Sequence, residues 1–450
     1  MSTEPAESSP PPPRTAQAPL SLTSLPPELL TSIAALVYTE EKEPRAPLRW
    51  SADDTDDEDN DEAGESSERR DSKERSMSAT SALSLTCREM YEVCRPLLWE
   101  SVDLRNRFEP LSHALEHVLP RHVHLIRTLR WKSETLFEEL VDGERRLEPL
   151  NPSRLFAALL RDCRSLQRIE WITTIPGNDT RRRLHEPLAA SFRMITDALL
   201  VWAPQITSLR CDPARESEIE QIALFLERAR NIEHLFVEPG DSSFQRTQQT
   251  SPLYRRILSA IFSLPRLVEC EIWHLLPPHV VELPLVCPLQ RLLLDCSGPD
   301  DPHHFRRFLE HFAPTLTTLE VYSRPLETFY STFPLLAGGH PPFTLPFPRL
   351  VNLVLGVSTL NTLLPFISPA SPVEVLSLAW TPPETVPEIK RFINTHMKTL
   401  KVVKLSVDHE DLQVQLGPAD ATEVEGYCRE RGVRFEEMNS EAIYLMPMEE

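Results

Sequence analysis

The sequence predicts an α/β protein in which a small N-terminal helical module precedes a long solenoid of alternating helices and strands. Two observations lead to this prediction. Two amphipathic stretches near the N-terminus flank an acidic run, and one apolar pattern recurs ten times after residue 105. The chain of 450 residues is long enough for several domains or one repeat array, and its apolar fraction of 41% is sufficient for a sizeable core.

The N-terminal module begins with two predicted helices. Residues 1–20 are rich in Pro, Ser and Ala and are interpreted as a disordered tail. Proline is tolerated in a first helical turn, so Pro26 and Pro27 fit the start of a helix, and apolar residues then recur at helical spacing: Leu29, Ile33, Leu36 and Val37. A second helix is predicted to end at Pro96, from a similar spacing of Leu83, Cys87, Met90 and Cys94.

The acidic run between these stretches predicts an insertion in a helix–helix turn. Residues 51–75 contain twelve acidic and four basic side chains. Like charges keep such a segment extended, and the entropy of closing a loop grows only slowly with its length. We therefore interpret about 40–80 as a disordered acidic insert. The short helices around it bury little surface alone, so their apolar faces should pack on another part of the chain or on another protein.

The two stretches together resemble the F-box motif, in the form common among fungal F-box proteins. The resemblance rests on Leu25-Pro26, on Glu28-Leu29-Leu30 with Ile33, on LSLTCR at 83–88 and on RPLLW at 95–99. Family F-boxes are usually continuous, whereas the acidic insert interrupts this one.

The F-box resemblance implies that the module, residues 21–104, is a three-helix F-box that docks on the Skp-type adaptor of an SCF-type cullin–RING ubiquitin ligase. The residues implied to contact the adaptor are Leu25, Pro26, Leu29, Leu30 and Ile33. The residues implied to join that interface or to hold the helices together are Leu83, Leu85, Cys87 and Trp99. The open alternative is that these helices belong to the core of a larger α domain.

The rest of the chain, residues 105–450, repeats a pattern of apolar, two others, apolar, one other, apolar. Its ten copies run from Ile126/Leu129/Trp131 to Leu400/Val403/Leu405 at intervals of 22 to 40 residues, and an amphipathic stretch precedes most of them. Units of helix, turn and short strand stack into a solenoid with parallel strands. The region resembles an irregular leucine-rich-repeat array, although the repeat asparagine is missing. A non-repetitive α/β domain is the alternative.

The residue between the last two apolar positions of each copy should face outward, because side chains alternate along a strand. These ten positions mix charged and apolar residues, as protein-binding surfaces do. A merely solvated face is the alternative. The candidate target-binding residues are Arg130, Glu170, Arg210, Phe236, Glu271, Glu320 and Lys404.

Several classes of site are not expected. Glycine accounts for 11 residues, and no GxGxxG, GxxxxGK[ST] or GxSxG motif occurs, which argues against phosphate loops and nucleophile elbows. The eight cysteines include no CxxC, and the pair His303-His304 has no third ligand nearby in the sequence. We predict no catalytic residue, no metal and no cofactor.

Charge and hydropathy limit the partners and the compartment. A net charge of −20 argues against nucleic acid. The N-terminus lacks the features of a signal peptide, and no apolar run is long enough to span a membrane. Scattered cysteines are interpreted as reduced thiols, so a cytoplasmic and/or nuclear location is expected.

The function that the F-box resemblance implies is that of a substrate receptor in an SCF-type ubiquitin ligase, which makes no bond itself and holds a target protein close to the ligase. Three alternatives are open. The chain could be an adaptor-independent scaffold whose N-terminal helices cap the solenoid, a regulator that sequesters the adaptor, or, least favoured, an enzyme.

Overall fold

The computed structural model describes fifteen parts of the chain, which divide into two compact units. The described residues are 27–42, 79–86, 88–105, 111–132, 151–172, 190–212, 216–238, 252–273, 285–295, 302–322, 344–356, 364, 367–379, 385–406 and 417–438. Among them, residues up to Leu98 form one unit, the helical unit, and residues from Trp99 onward form the other, the sheet unit. The predicted tail and most of the predicted acidic insert lie outside the described residues.

Three helices form the helical unit: α1 (Pro27–Lys42), α2 (Ala79–Ser84) and α3 (Arg88–Leu98). Pro27 is the first residue of α1, where its missing N–H has no intrahelical partner. α1 continues into the predicted insert over Glu40, Glu41 and Lys42, which are good helix formers. α3 likewise continues two residues beyond Pro96, because a proline in the last turn of a helix removes only one terminal hydrogen bond.

The helical unit has a small apolar core of its own. Leu30 and Ala34 of α1 are buried together with Met90 and Cys94 of α3. Their spacing of four residues puts each pair on one helix face. The half-buried side chains that pack against this core are Leu83, Val93, Leu97 and Leu98.

The sheet unit contains twelve parallel strands whose order in the sheet equals their order in the chain. The α/β prediction with stacked parallel strands is confirmed, and the topology is compatible with a solenoid-like fold. The strands are β1 (Ser101–Asp103), β2 (Thr128–Lys132), β3 (Arg168–Ile172), β4 (Ser208–Asp212), β5 (His234–Val237), β6 (Glu269–Trp273), β7 (Arg291–Asp295), β8 (Thr318–Tyr322), β9 (Asn352–Gly356), β10 (Val375–Ala379), β11 (Val402–Ser406) and β12 (Arg434–Met438).

Helices connect most of the strands. They are α4 (Asn151–Asp162), α5 (190–199), α6 (Glu216–Arg228), α7 (Pro252–Phe262), α8 (Pro302–Phe312), α9 (Val386–His396) and α10 (Pro418–Glu430). Short helical turns occupy Leu111–His113, Ala114–Val118, Leu119–Arg121 and Val123–Leu125 before β2, and Ala203–Gln205 before β4. The described residues between β6 and β7, between β8 and β9, and between β9 and β10 contain no α-helix.

The backbone joins successive units by one repeated hydrogen-bond pattern. The N–H groups of Gln167 and Arg168 both donate to the carbonyl of Arg127, one residue before β2. The N–H groups of Thr207 and Ser208 donate to Gln167 in the same way, and the pattern continues to β11. Every strand is therefore held in register with its neighbours, and equivalent positions form straight rows across the sheet.

Polar side chains add a second link between units near β2 to β5. In each case a side chain directly before the first apolar residue of a copy donates to a carbonyl of the preceding unit. The pairs are Ser165 to His124, Gln205 to Arg164 and Asn231 to Pro204. These links lie before the strand, whereas the missing repeat asparagine would follow it.

The core of the sheet unit lies on the face of the sheet that carries the apolar pattern. Trp131 and Trp171 of neighbouring strands lie 5.2 Å apart between ring centroids, and Trp171 stacks on Phe192 of α5 at 3.9 Å. At the far edge, Glu437 of β12 takes the place of an apolar residue and is exposed. An edge strand has a neighbouring strand on one side alone, so its burial is less complete.

Candidate protein-interaction surfaces

α1 carries apolar residues on two sides. Leu30 and Ala34 face the buried core, whereas Leu29 is 50% exposed and Leu36 is 64% exposed. Ile33 is half-buried between them. Residues at offsets 0, 4 and 7 share one face of a helix, so Leu29, Ile33 and Leu36 form a single apolar stripe, here called the outer stripe.

The predicted adaptor contacts differ in their accessibility. Leu29 and Leu85 are exposed and Ile33 is half-buried, so these side chains offer apolar surface. The structure corrects the predicted adaptor contact of Leu30. This side chain is 4% exposed because it closes the core between α1 and α3, and it has little surface left for a partner. Leu83 is half-buried against that core, which fits the predicted role of holding the helices together.

Four other predicted contacts lie outside the described part of the helical unit. Leu25, Pro26 and Cys87 lie outside the described residues. Trp99 belongs to the sheet unit, where its ring stacks on His122 at 4.1 Å between centroids, so part of its surface is already used. Leu36 was not among the predicted contacts, although its offset of seven residues from Leu29 placed it on the same face.

The sheet face opposite the core presents the predicted outward residues in one row. Strand pairing aligns Arg130 with Glu170, Glu170 with Arg210, and so on across the sheet to Lys404 and Glu436. The outward row consists of Asp103, Arg130, Glu170, Arg210, Phe236, Glu271, Leu293, Glu320, Val354, Ser377, Lys404 and Glu436.

Two predicted target contacts in this row are corrected. Glu320 is 3% exposed and pairs with Arg291 at 2.9 Å between Oε1 and Nη2. Phe236 is also buried, and the guanidinium of Arg210 lies 4.1 Å from its ring centroid. Both positions alternate correctly along their strands, but contacts with neighbouring strands remove them from the surface. Their neighbours Leu293, Val354 and Ser377 are buried too.

The other predicted target contacts keep accessible surface. Arg130, Glu170, Glu271 and Lys404 are half-buried and Arg210 is exposed. Lys404 pairs with Glu436 of the next strand at 3.3 Å. These side chains form cross-strand pairs that leave part of each charged group open to a partner.

Glu170 is surrounded by three arginines, two from the neighbouring strands β2 and β4 and one, Arg105, from two positions after β1. Its Oε1 lies 2.9 Å from Nη1 of Arg105, its Oε2 lies 3.1 Å from Nε of Arg130, and Nε of Arg210 lies 4.0 Å away. Asp103 accepts hydrogen bonds from Arg105. Burial alone would raise the pKa of Asp103, but the hydrogen bonds and charge of Arg105 lower it below its ordinary value.

A second charged pair lies on the outward face of β5 and β6. Nδ1 of His234 lies 3.2 Å from Oε2 of Glu269. The hydrogen bond to Glu269 raises the pKa of His234 against a smaller opposing effect of burial, and it lowers the pKa of Glu269.

The described residues contain no group of three or more His, Cys, Asp or Glu side chains that could hold a metal ion. The six described cysteines are free and buried. Burial raises the pKa of Cys163 and of Cys287 to about 12 and that of Cys428 to about 11, so these thiols are protonated at neutral pH.

A scan against protein-family models and a search of curated proteins both return no match. Among the described helices, none combines the length and the apolar character that a membrane span needs.

Proposed function

We propose that the chain is a substrate receptor of an SCF-type cullin–RING ubiquitin ligase. The outer stripe of α1 docks on the Skp-type adaptor, and the outward face of a leucine-rich-repeat-like solenoid binds a target protein. The receptor transfers nothing itself. It raises the concentration of the target near the ligase by holding both on one chain.

The outer stripe carries this proposal. A helix that served only its own core would show polar residues on its second side, whereas α1 places Leu29 at 50% exposure and Leu36 at 64% there. Exposed apolar stripes on helices mark surfaces that associate with other proteins. The resemblance of the two helical stretches to the F-box motif names the partner as a Skp-type adaptor.

The sheet unit supports the second half of the proposal. Twelve in-order parallel strands give a long row of equivalent outward positions, as leucine-rich-repeat arrays do. Charged side chains with accessible surface lie towards both ends of that row: Arg130, Glu170 and Arg210 on adjacent strands at one end, and Lys404 near the other. A surface of this composition suits the recognition of a protein segment.

A scaffold that acts without the adaptor is the rival function. One observation favours it: α3 ends at Leu98 and the edge strand β1 begins at Ser101. An edge strand exposes unpaired backbone groups, and terminal caps commonly protect the ends of repeat arrays. A binding measurement with the purified adaptor separates the two functions.

The experiment measures binding of the full chain to a purified Skp-type adaptor by calorimetry. Leu29→Asp/Leu36→Asp should weaken binding at least about 100-fold, because burial of one leucine contributes about 1.5–3 kcal/mol and a buried carboxylate adds a further cost. Both positions are exposed, so the helical unit should keep its fold, which circular dichroism checks.

The matched control is Val201→Asp/Met397→Asp, which changes two apolar side chains of similar exposure in the sheet unit. This control should bind the adaptor as the unchanged chain does. Unchanged affinity of Leu29→Asp/Leu36→Asp would refute docking by the outer stripe. No binding of the unchanged chain would favour the scaffold.

A further inference from the structure

The outward face of the sheet changes sign along its length. On the outward face, strands β1 to β4 and Arg105, which follows β1 by two positions, present more basic than acidic side chains. The basic residues are Arg105, Arg130, Lys132, Arg168 and Arg210, and the acidic ones are Asp103, Glu170 and Asp212. We call the outward face of β1 to β4 the basic strip. Its charge is opposite to that of the chain, which carries −20.

The next four strands carry the opposite balance. Among the side chains that the structure describes on or directly after β5 to β8, the acidic ones are Glu238, Glu269, Glu271 and Glu320. The basic ones are Arg291 and the titratable His234. The basic strip therefore ends at β4. A long polyanion such as nucleic acid would meet repulsion beyond that point, whereas a short acidic peptide would fit within the strip.

The centre of the basic strip has excess positive charge at close range. Glu170 lies between Arg130 and Arg210 in the outward row and also accepts from Arg105. Asp103, which neighbours Arg130 in that row, accepts from Arg105 as well, so two carboxylates face three arginines. The side chains of Arg130 and Arg210 remain 41% and 46% exposed. Contact with Glu170 and with the ring of Phe236 orders both guanidinium groups before any partner arrives. Preordered groups lose less entropy on binding.

Asp212 compensates little of this charge at neutral pH. Burial, followed by the nearby charges of Glu238 and Glu218, raises its pKa to about 8. The carboxyl is therefore mostly protonated at pH 7 and carries little negative charge beside Arg210.

We propose that the basic strip binds an acidic peptide segment of a partner protein, with Arg130 and Arg210 donating to two of its carboxylates. This proposal rests on the proposed function, because it names the kind of target that the receptor holds. Strands lie about 4.8 Å apart, so β2 and β4 are about 10 Å apart, and an extended peptide covers that distance in about three residues. The segment should carry acids two to four residues apart.

The test measures fluorescence anisotropy of a labelled oligoglutamate of about five residues, whose extended length of about 16 Å spans the strip, with the full chain. The unchanged chain should bind it, and binding should weaken from about 0.1 M to about 0.5 M salt because accessible charges are screened. Arg130→Gln/Arg210→Gln should weaken binding about 30-fold. The matched control, Arg193→Gln/Arg228→Gln, removes two exposed arginines from α5 and α6 and should leave binding unchanged.

A second variant moves the affinity in the opposite direction. Glu170→Gln removes the internal carboxylate that competes for Arg130 and Arg210, so oligoglutamate should bind more tightly by about 3- to 10-fold. Damage to the fold would not produce tighter binding. Oligoglutamate that fails to bind, or that loses affinity equally in the α5 and α6 control, would overturn the proposal.

Other occupants have their own outcomes. Tighter binding of a single-stranded oligonucleotide than of oligoglutamate would overturn the proposal in favour of nucleic acid. If the chain's own acidic run occupies the strip, replacing the acids of 53–62 with serine should free it. A tenfold gain in peptide affinity in that variant would show that the acidic run, and not a partner protein, is the occupant. Adaptor capture is measured separately, so loss of capture with peptide binding retained would remove the ligase role and leave the peptide site in place.

Discussion

Replacing Asp212 with asparagine should stabilise the protein at neutral pH. The side chain follows Cys211 at the end of β4 and is half-buried, and its Oδ1 has no hydrogen-bond partner among the described residues. Burial is the main cause that raises its pKa from 3.8 to about 8, and the charges of Glu238 and Glu218 add to it. A buried carboxyl with such neighbours resists ionisation in the folded state.

The sign of the effect follows from proton linkage. The folded state keeps the Asp212 proton up to about pH 8, whereas the unfolded chain loses it near pH 4. Folding at pH 7 must therefore take up a proton. Each pH unit between these values costs about 1.4 kcal/mol, which gives at most about 4 kcal/mol at pH 7. The cost is absent below the unfolded pKa, grows as the pH rises and levels off above about 8.

Asparagine has nearly the shape of the protonated carboxyl and no charge, so Asp212→Asn should remove this cost. Urea unfolding followed by circular dichroism at pH 6, 7, 8 and 9 measures the change in unfolding free energy. The gain should rise by about 1.4 kcal/mol per unit from pH 6 to pH 8 and then stay constant.

The matched control is Asp197→Asn in α5, an exposed carboxylate, which should change stability by less than about 0.5 kcal/mol at every pH. A gain for Asp212→Asn that is absent, or equal at pH 6 and pH 9, would show that the carboxyl is ionised in the folded protein. The argument from burial would then fail.

Three further predictions test packing and charge. Leu30→Ala should destabilise the helical unit by about 2–4 kcal/mol because it opens a cavity in a closed core, and hydrogen exchange of α1 should rise accordingly. Glu320→Leu should cost about 2 kcal/mol in urea unfolding because it leaves Arg291 without its closest partner, and adding Arg291→Leu should restore most of the loss; a double variant no more stable than the single one would contradict this reason. By NMR titration the pKa of His234 should lie above 6.5 and fall in Glu269→Gln. The pair's contribution to stability should be fully present between about pH 4.5 and pH 6.5, the ordinary pKa values of the two groups. It should be lost as the pH rises through the folded pKa of His234 and as the pH falls through the folded pKa of Glu269; an unchanged His234 pKa would remove Glu269 as the cause.

The strands were predictable because their signal is local and repeated. Ten copies of one apolar spacing correspond to β2 to β11, since alternation along a strand puts the same residues on the core face in every unit. The pattern did not identify β12, where exposed Glu437 replaces an apolar residue. Val102 and Leu104 alternate as in a strand, but the predicted boundary at residue 104 assigned them to the N-terminal module, whereas β1 pairs with β2 as the first strand of the sheet.

The sequence by itself determined which face of each element is apolar, because periodicity depends only on the geometry of one helix or strand. It therefore predicted an apolar face on α1 and an alternating outward row on the sheet. Only the tertiary structure decided which of those residues stay accessible. Leu30 and Leu29 are adjacent and equally apolar, yet the packing of α3 buries the first and leaves the second exposed.

The same division holds for the sheet. Nothing in the spacing of Glu170 and Glu320 distinguishes these two acids, which occupy equivalent positions. Strand order surrounds Glu170 with three arginines at the surface and buries Glu320 beside Arg291. Such contacts join residues tens of positions apart, and their energy depends on distances that local periodicity does not specify.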